Sequence, residues 1–392
     1  MCKRSFKQRE NGQSEKYKEA SMKKFELLIL LYALTSPLYT FSDCDTIDPS
    51  QECEAMIPPR AQIITTPTNP VVNCSQGLFV SAEYLFMKAT EGGLTYSRQN
   101  FPFGPFSDQK NRECFEVSCD WNSGCRVGLG YNMVHDQWDT QVLWTWVLNV
   151  GHDHHTNTEN HLFSANAVPG ISAENGVMAD TFSSHIHIHL NLIDWQLGRE
   201  FFLSQWLKMR PFIGVRTGFV NQNWMTTATG NIVALNDDLT KYIIELKQDF
   251  WGIGPTVGFN SEWGLVCNFS LYANGSVALL SGFFDNYRND RGYLRSPPAE
   301  INNPFSKHPH HAQSITELQL GLRWNQWFRD ERYRLSIQAG WNAIFLNDHN
   351  HLFAINGQAS NGGASYGQTQ HLQEITGDLM FQGISLGCRL DY

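Results

Sequence analysis

Residues 381–392 read FQGISLGCRLDY, and the side chains alternate to the last residue. Ile384, Leu386, Cys388, Leu390 and Tyr392 fall on one face; Ser385, Gly387, Arg389 and Asp391 fall on the other. The ends of a soluble domain usually fray. A two-residue period carried to a terminal aromatic asks for a partner strand and for an apolar medium on one side only.

The same period recurs upstream. Leu78-Val80-Ala82-Tyr84-Phe86 opens the series. It continues with Cys125-Val127-Leu129-Tyr131-Met133, Trp138-Thr140-Val142-Trp144-Trp146-Leu148, and Ile186-Ile188-Leu190-Leu192 set against His185, His187 and His189. Leu207–Val215, Trp251–Phe259, Phe269–Ala273, Leu318–Trp324 and Tyr333–Trp341 follow, which makes ten runs with the terminal one. Alternation fits a soluble sandwich, whose apolar face meets a core, or a membrane barrel, whose apolar face meets lipid. Three features select the barrel. Most runs have the length of about ten residues that a tilted strand needs to cross a bilayer. The opposite face carries Gly, Asn, Ser, Gln and Arg, as a crowded lumen would. Trp138, Trp224, Trp251, Trp263, Trp324, Trp327 and Tyr333 sit toward run ends, where interfacial aromatics belong.

The connections sort by length as well: long stretches near 152–180, 221–242, 281–311 and 346–373 alternate with short links such as His135-Asp136-Gln137 and Phe328–Arg332. A sandwich has no reason to sort its connections by end. Outer-membrane barrels do, with long extracellular loops, short periplasmic turns and an even number of strands. The expected fold is therefore an all-β transmembrane antiparallel barrel of at least ten strands (ten to fourteen, even), with its last strand closing on its first.

Composition agrees. The 392 residues include 12 Trp, 25 Phe, 13 Tyr and 31 Gly, and charged residues are only 17%. Met22-Lys23-Lys24, the apolar run Leu27–Leu34 and Thr40-Phe41-Ser42 read as a secretory signal. The organisation expected is thus an extension and signal over 1–42, a Pro/Thr-rich periplasmic segment over 43–76, and the barrel over 77–392. Beyond the signal, no apolar run is long enough for a transmembrane helix. The net charge is −9, and the signal region carries eight Lys/Arg against four Asp/Glu, so the exported part is more acidic still. Such a chain is a poor nucleic-acid ligand. In an exported protein, cysteines default to disulfides; Cys44, Cys53, Cys74, Cys114 and Cys119 are the candidates, with Cys125, Cys267 and Cys388 in or beside strands.

Five blocks in order, GLFVSAEYLFMKATEGGLTYS (77–97), SGCRVGLGY with HDQWDTQVLWTW (123–146), MRPFIGVRTGF (209–219), DFWGIGPTVGFNSEWGL (249–265) and the terminal FQGISLGCRLDY, resemble the Legionella-type major outer membrane protein family, which includes porin-like proteins of chlamydia-like bacteria. The resemblance implies a pore-forming barrel in the bacterial outer membrane. It also implies a role in a disulfide-linked envelope, homo-oligomers, and a C-terminal insertion signal at Leu386, Leu390 and Tyr392. The His-rich loops depart from that family.

Strand parity puts Glu83, Arg126, Asp139, Lys208, Arg210, Arg216, Glu317, Arg323, Arg334 and Arg389 on the inner face, with His187 as a further lining residue. Seven bases against three acids suggest a weak preference for anions among small hydrophilic solutes. The same charges pair with one another if the lumen is packed, and ten strands make a narrow barrel. GHDHH (151–155), HPHH (308–311), His349 and His351 offer imidazoles that can hold Zn²⁺ or Cu²⁺, although solvated histidines are the plainer reading. No bound cofactor is expected. No local motif pairs a nucleophile, a base and an orienting group, so the chain reads as a porin. A closed barrel whose loops bind a surface or a metal is the alternative, and an outer-membrane hydrolase is a third reading.

Overall fold

The computed structural model describes residues 77–392 apart from 100–112, 134–137, 158–161, 165–177, 231, 233–238, 267, 295–298, 330–331 and 360–367. The signal and Pro/Thr-rich segments lie outside the described residues, as do Cys44, Cys53, Cys74, Cys267 and the turn at His135-Asp136-Gln137.

Ten strands build the wall: β1 (Leu78–Glu91), β2 (Trp121–Asn132), β3 (Trp138–Thr156), β4 (Thr181–Arg199), β5 (Leu207–Thr229), β6 (Leu239–Gly264), β7 (Phe269–Leu294), β8 (His310–Phe328), β9 (Tyr333–Asn347) and β10 (Leu379–Asp391). Each pairs antiparallel with its neighbours in sequence. β10 closes the ring on β1, with Phe79 opposite Asp391 and Glu91 opposite Leu379. Closure leaves no barrel strand with an unpaired edge, a requirement wherever lipid replaces water around the backbone. It also explains the unfrayed terminus: Leu386, Leu390 and Tyr392 all point outward, away from Arg389 and Asp391.

A belt of exposed apolar side chains surrounds the half of the barrel nearer the termini. It includes Val80, Tyr84 and Phe86 on β1, Ile213 and Val215 on β5, Leu318, Leu320 and Leu322 on β8, and Ile384, Leu386 and Leu390 on β10. On β6 it runs from Trp251 to Trp263. At the rise of a strand tilted by about 40°, that length covers about 30 Å, one hydrocarbon thickness. Aromatics mark both rims. Phe86 stacks on Trp121, which meets Trp341 edge-on at 6.3 Å. Trp138, Trp206, Trp263, Trp327, Phe328 and Tyr333 are exposed toward the terminal end.

Beyond the belt the strands continue, and the chemistry of their two faces is exchanged. On β4, Trp195 is outward and 52% exposed while Asp194 is inward and buried. Farther along, Ile186, Ile188, Leu190 and Leu192 are inward with 0% exposure, and His187 is exposed on the outer face. β5 does the same: Ile213 is outward and Arg216 inward, then Val220 and Trp224 are inward, flanking exposed Asn221 and Asn223. The backbone period does not slip between these two strands. Lipid no longer covers the outer wall there, so that wall turns polar and the apolar side chains fill the barrel instead. This corrects the placement of His187 as a pore-lining residue: the isoleucine row faces inward and its histidine neighbours face water.

The same exchange shortens the expected loops. Segments 221–242 and 281–311 were expected to be mostly connection, yet β5 runs to Thr229, β6 starts at Leu239, β7 runs to Leu294 and β8 starts at His310. Among the described residues, much of the remaining connecting chain at the far end is itself sheet. Cys114–Glu116, Thr95–Gln99, Leu162–Ser164 and Met178–Ala179 form one small sheet, and Phe353–Ala359 pairs with Gln368–Glu374 in a hairpin. Cys114 is exposed and Cys119 is buried among core side chains; both are free thiols, as are Cys125 and Cys388. Cys114 and Cys119 are thus not bridged to each other, and the other candidates, Cys44, Cys53 and Cys74, lie outside the described residues.

Candidate functional site

Within the belt the lumen is crossed by charges. Glu317, on β8, accepts hydrogen bonds from Arg126 of β2 and, at 3.1 Å, from Arg216 of β5. One carboxylate thus joins walls that do not adjoin in the ring. Arg126 also pairs with Glu83 at 3.3 Å and donates from Nε to Thr145 at 2.8 Å. The second carboxylate held by Arg216 is Asp194. Arg210 grips both oxygens of Asp139, Arg323 reaches Glu262 at 2.9 Å, and Arg389 reaches Asp391 at 2.6 Å. Gln319 donates to Glu83.

Glycine makes room for this web. A Cβ on Gly198 would stand 2.7 Å from the Arg210 guanidinium carbon, so a side chain there would push that arginine from its present place. Lys208 sits opposite Glu262 in the β5–β6 register, with its ammonium 5.6 Å from the Phe202 ring. Arg334 bonds Asn325 at 3.1 Å.

All ten charged positions assigned to the inner face by parity are thus gathered inside the barrel. The inner-face set left out three acids that change its balance: Asp194, Glu262 and Asp391, the last already on the polar face by alternation, are buried and each binds an arginine. Glu262 lies beyond the sixth apolar run, and Asp194 follows the row whose faces are exchanged. Five of the six inner arginines carry a carboxylate partner and Arg334 meets an amide, so they do not form a free cationic ring. What stays open is a polar cavity of about 180 Å³, bordered by Glu83, Arg126, Asp194, Arg210, Glu262 and Glu317 among others.

Above this cavity the lumen is filled. Leu85, Met87, Ile186, Ile188, Leu190, Leu192, Val220, Leu246, Phe250, Leu280, Ile315, Ile344 and Phe381 belong to one buried apolar cluster. A Cβ on Gly218 would stand 3.3–3.8 Å from Leu192, Phe250 and Ile315, three side chains from three other strands.

A second closure lies farther out. After β9 the chain turns inward, and His349, Asn350, His351, Leu352 and Phe353 are buried. Interior side chains bond the main chain of this plug as a neighbouring strand would. Gln248 donates to the His349 carbonyl and accepts from the His351 amide, both at 2.8 Å. Asn286 donates to the His351 carbonyl at 2.6 Å, and Arg288 to that of Phe353 at 3.2 Å. The His349 ring meets Gln313 at 3.0 Å through Nδ1 and packs against Phe250 and Phe284. Burial, with His351 nearby, pushes the His349 imidazole down to about 3, so the plug carries a neutral ring at neutral pH.

Several of the other described histidines cluster in two places. His152 stacks on His185 at 4.1 Å and on His154 at 6.1 Å, all on the outer wall beyond the belt. His311, on the inward face of β8, stacks on plug residue His351 at 4.4 Å.

With this geometry in place, the comparisons are plain. Residues 70–392 match the family described as Legionella pneumophila major outer membrane protein precursor. Among solved structures, the chain is similar to a Pseudomonas aeruginosa FadL homologue at 7% identity, covering 80% of this chain and 89% of that one with a TM-score of 0.22. It is similar to a TodX mutant, titled a monoaromatic hydrocarbon channel, at 9% identity, with 81% and 91% covered and a TM-score of 0.29. OmpT of Vibrio cholerae aligns at 9% identity over 81% of this chain and 100% of that chain, with a TM-score of 0.10. Comparison with curated proteins returns no matching sequence.

Proposed function

The chain belongs to the Legionella major outer membrane protein family, a family of the bacterial outer membrane, and from that premise we propose that it is a gated channel for small hydrophilic solutes, shut in the conformation described here. The observation that carries this reading is the charged cavity inside the membrane belt, which stops beneath an apolar layer and a plug held mainly by side-chain hydrogen bonds. Charged pairs are an expensive filling for a barrel that only needs to be solid; an apolar filling of equal volume is often as stable or more so. Ions and water use such a lining if the barrier above it moves. Paired charges give little net preference for either sign of solute, so the anion preference suggested by the seven inner bases is dropped.

A closed barrel that serves the envelope as a structural element is the second reading. It is favoured by the contact of Leu192, Phe250 and Ile315 around Gly218, which comes from the wall and not from the plug. Liposome swelling with sugars of graded size separates the two. The double substitution Gln248→Ala with Asn286→Ala removes three hydrogen bonds to the plug and should raise the swelling rate several-fold over the unmodified protein. Unchanged, background-level swelling in a variant that still folds would leave the structural reading.

A further inference from the structure

We propose that His311, His351 and Glu374 form a binding site for a divalent transition-metal ion of the zinc type, placed where the plug meets the barrel wall. The three side chains come from three separate segments. His311 is the second residue of β8, His351 belongs to the plug, and Glu374 ends the hairpin strand that pairs with Phe353. One ligand atom from each lies within 4.8 Å of the others. His351 Nδ1 is 2.9 Å from Glu374 Oε1, and His311 Nε2 is 4.0 Å from the same oxygen. A tetrahedral ion with bonds of about 2.0–2.1 Å holds its ligands about 3.3 Å apart, so these separations bracket the required spacing.

A second observation points the same way. His351 Nδ1 and Glu374 Oε1 are both buried and neither has a hydrogen-bond partner, because their contact falls outside hydrogen-bond alignment. Two buried polar atoms facing one point without satisfying each other are destabilising unless something between them accepts their lone pairs. The other carboxylate oxygen is already engaged: Lys307 donates to Glu374 Oε2 at 3.2 Å, which turns Oε1 toward the histidines. Phe284 packs edge-on against both rings, at 6.0 Å for His311 and 4.6 Å for His351, and limits their rotation.

The protonation states suit a ligand set. Burial, and the nearby His311, hold the His351 imidazole below its ordinary range and therefore neutral. Burial would raise the Glu374 carboxyl, but the Lys307 ammonium that donates to it opposes this, and the group stays below its ordinary range and ionised. Two imidazoles and one carboxylate leave a fourth position for water, as in open zinc sites. An ion here would join the plug to β8 and to the hairpin. This assignment concerns metal binding alone and stands whether or not the barrel conducts.

The test uses the full-length protein folded in detergent, stripped with chelator and titrated calorimetrically with Zn²⁺, then with Co²⁺ for its visible absorption. One equivalent should bind at micromolar or tighter affinity, with a Co²⁺ spectrum of low coordination number. His311→Ala and Glu374→Gln, both partly or fully exposed positions that tolerate change, should each weaken binding at least tenfold. His152→Ala, in the other histidine cluster, should leave it unchanged. Absence of binding at 100 μM (about a hundredfold above the expected constant), or binding that survives both substitutions, would overturn the assignment. Loss on His152→Ala alone would move the site to the outer wall and overturn it equally.

Discussion

The exchange of faces beyond the membrane belt makes a sharp prediction on β4. Ile188 is fully buried inside the barrel, and His187 is exposed on its outer wall. Ile188→Ala deletes three carbons. At about 0.8 kcal/mol for each buried carbon, the lost transfer energy is about 2.4 kcal/mol. The site is packed within a continuous cluster, so a residual cavity adds to this, and the total should fall at about 3–4 kcal/mol. His187→Ala removes no buried contact and should change stability by less than about 0.5 kcal/mol. The assay is urea unfolding in lipid vesicles, followed by tryptophan fluorescence, with refolding checked from the unfolded side. If the isoleucines faced lipid and the histidines lined a lumen, the order would differ: a lipid-facing truncation leaves no cavity, and His187 would be the more sensitive position. Equal effects, or a larger effect at His187, would refute the reasoning.

Two further outcomes follow from the same interior. Glu317→Gln keeps the volume but removes the charge shared by Arg126 and Arg216; each arginine retains a second carboxylate, Glu83 and Asp194. The loss, measured by the same unfolding assay, should therefore be about 1–3 kcal/mol, below the 3–5 kcal/mol typical of a buried charge left alone. Glu91 stands five residues beyond Phe86, past the belt; burial pushes its carboxyl up to about 8, against a weaker opposing hydrogen bond from Gln222. The folded state thus holds a proton that the unfolded chain has released, so stability should decline as pH rises from about 4.5 through 8. Glu91→Gln should flatten that decline and stabilise the barrel at pH 8 by about 1–3 kcal/mol, a range discounted for partial solvent screening. A pH profile unchanged by the substitution would contradict it.

The wall of the barrel was legible because lipid imposes one rule on every strand: apolar outward, at a period of two. Nine of the ten runs obey it, and each of the ten marks one strand. The parity of Arg126, Arg216 and Glu317 follows from the same rule. What defeated the reading was a change of solvent along a single strand. Ile186–Leu192 alternates as cleanly as Leu318–Leu322, but the first row is buried in the barrel and the second faces lipid. A one-dimensional pattern carries the period and not the medium on either side. The partner carboxylates were hidden for a related reason. Glu262 lies beyond the last residue of its apolar run, and Asp194 lies where the two patterns meet. Glu374 drew no notice because its histidine partners lie 23 and 63 positions upstream, and only the hairpin that pairs it with Phe353 brings the three together.

The claim at the centre of this account is that the lumen is shut by its own filling, not narrowed by a ring of free charge. The current carried by the unmodified protein in a planar bilayer tests it most directly. The barrel described here should rest at baseline, with infrequent and brief steps showing little selectivity for either ion. Steady, long-lived conductance steps at every voltage, with a clear preference for anions, would mean that the interior is open and lined by unpaired bases, and would contradict it.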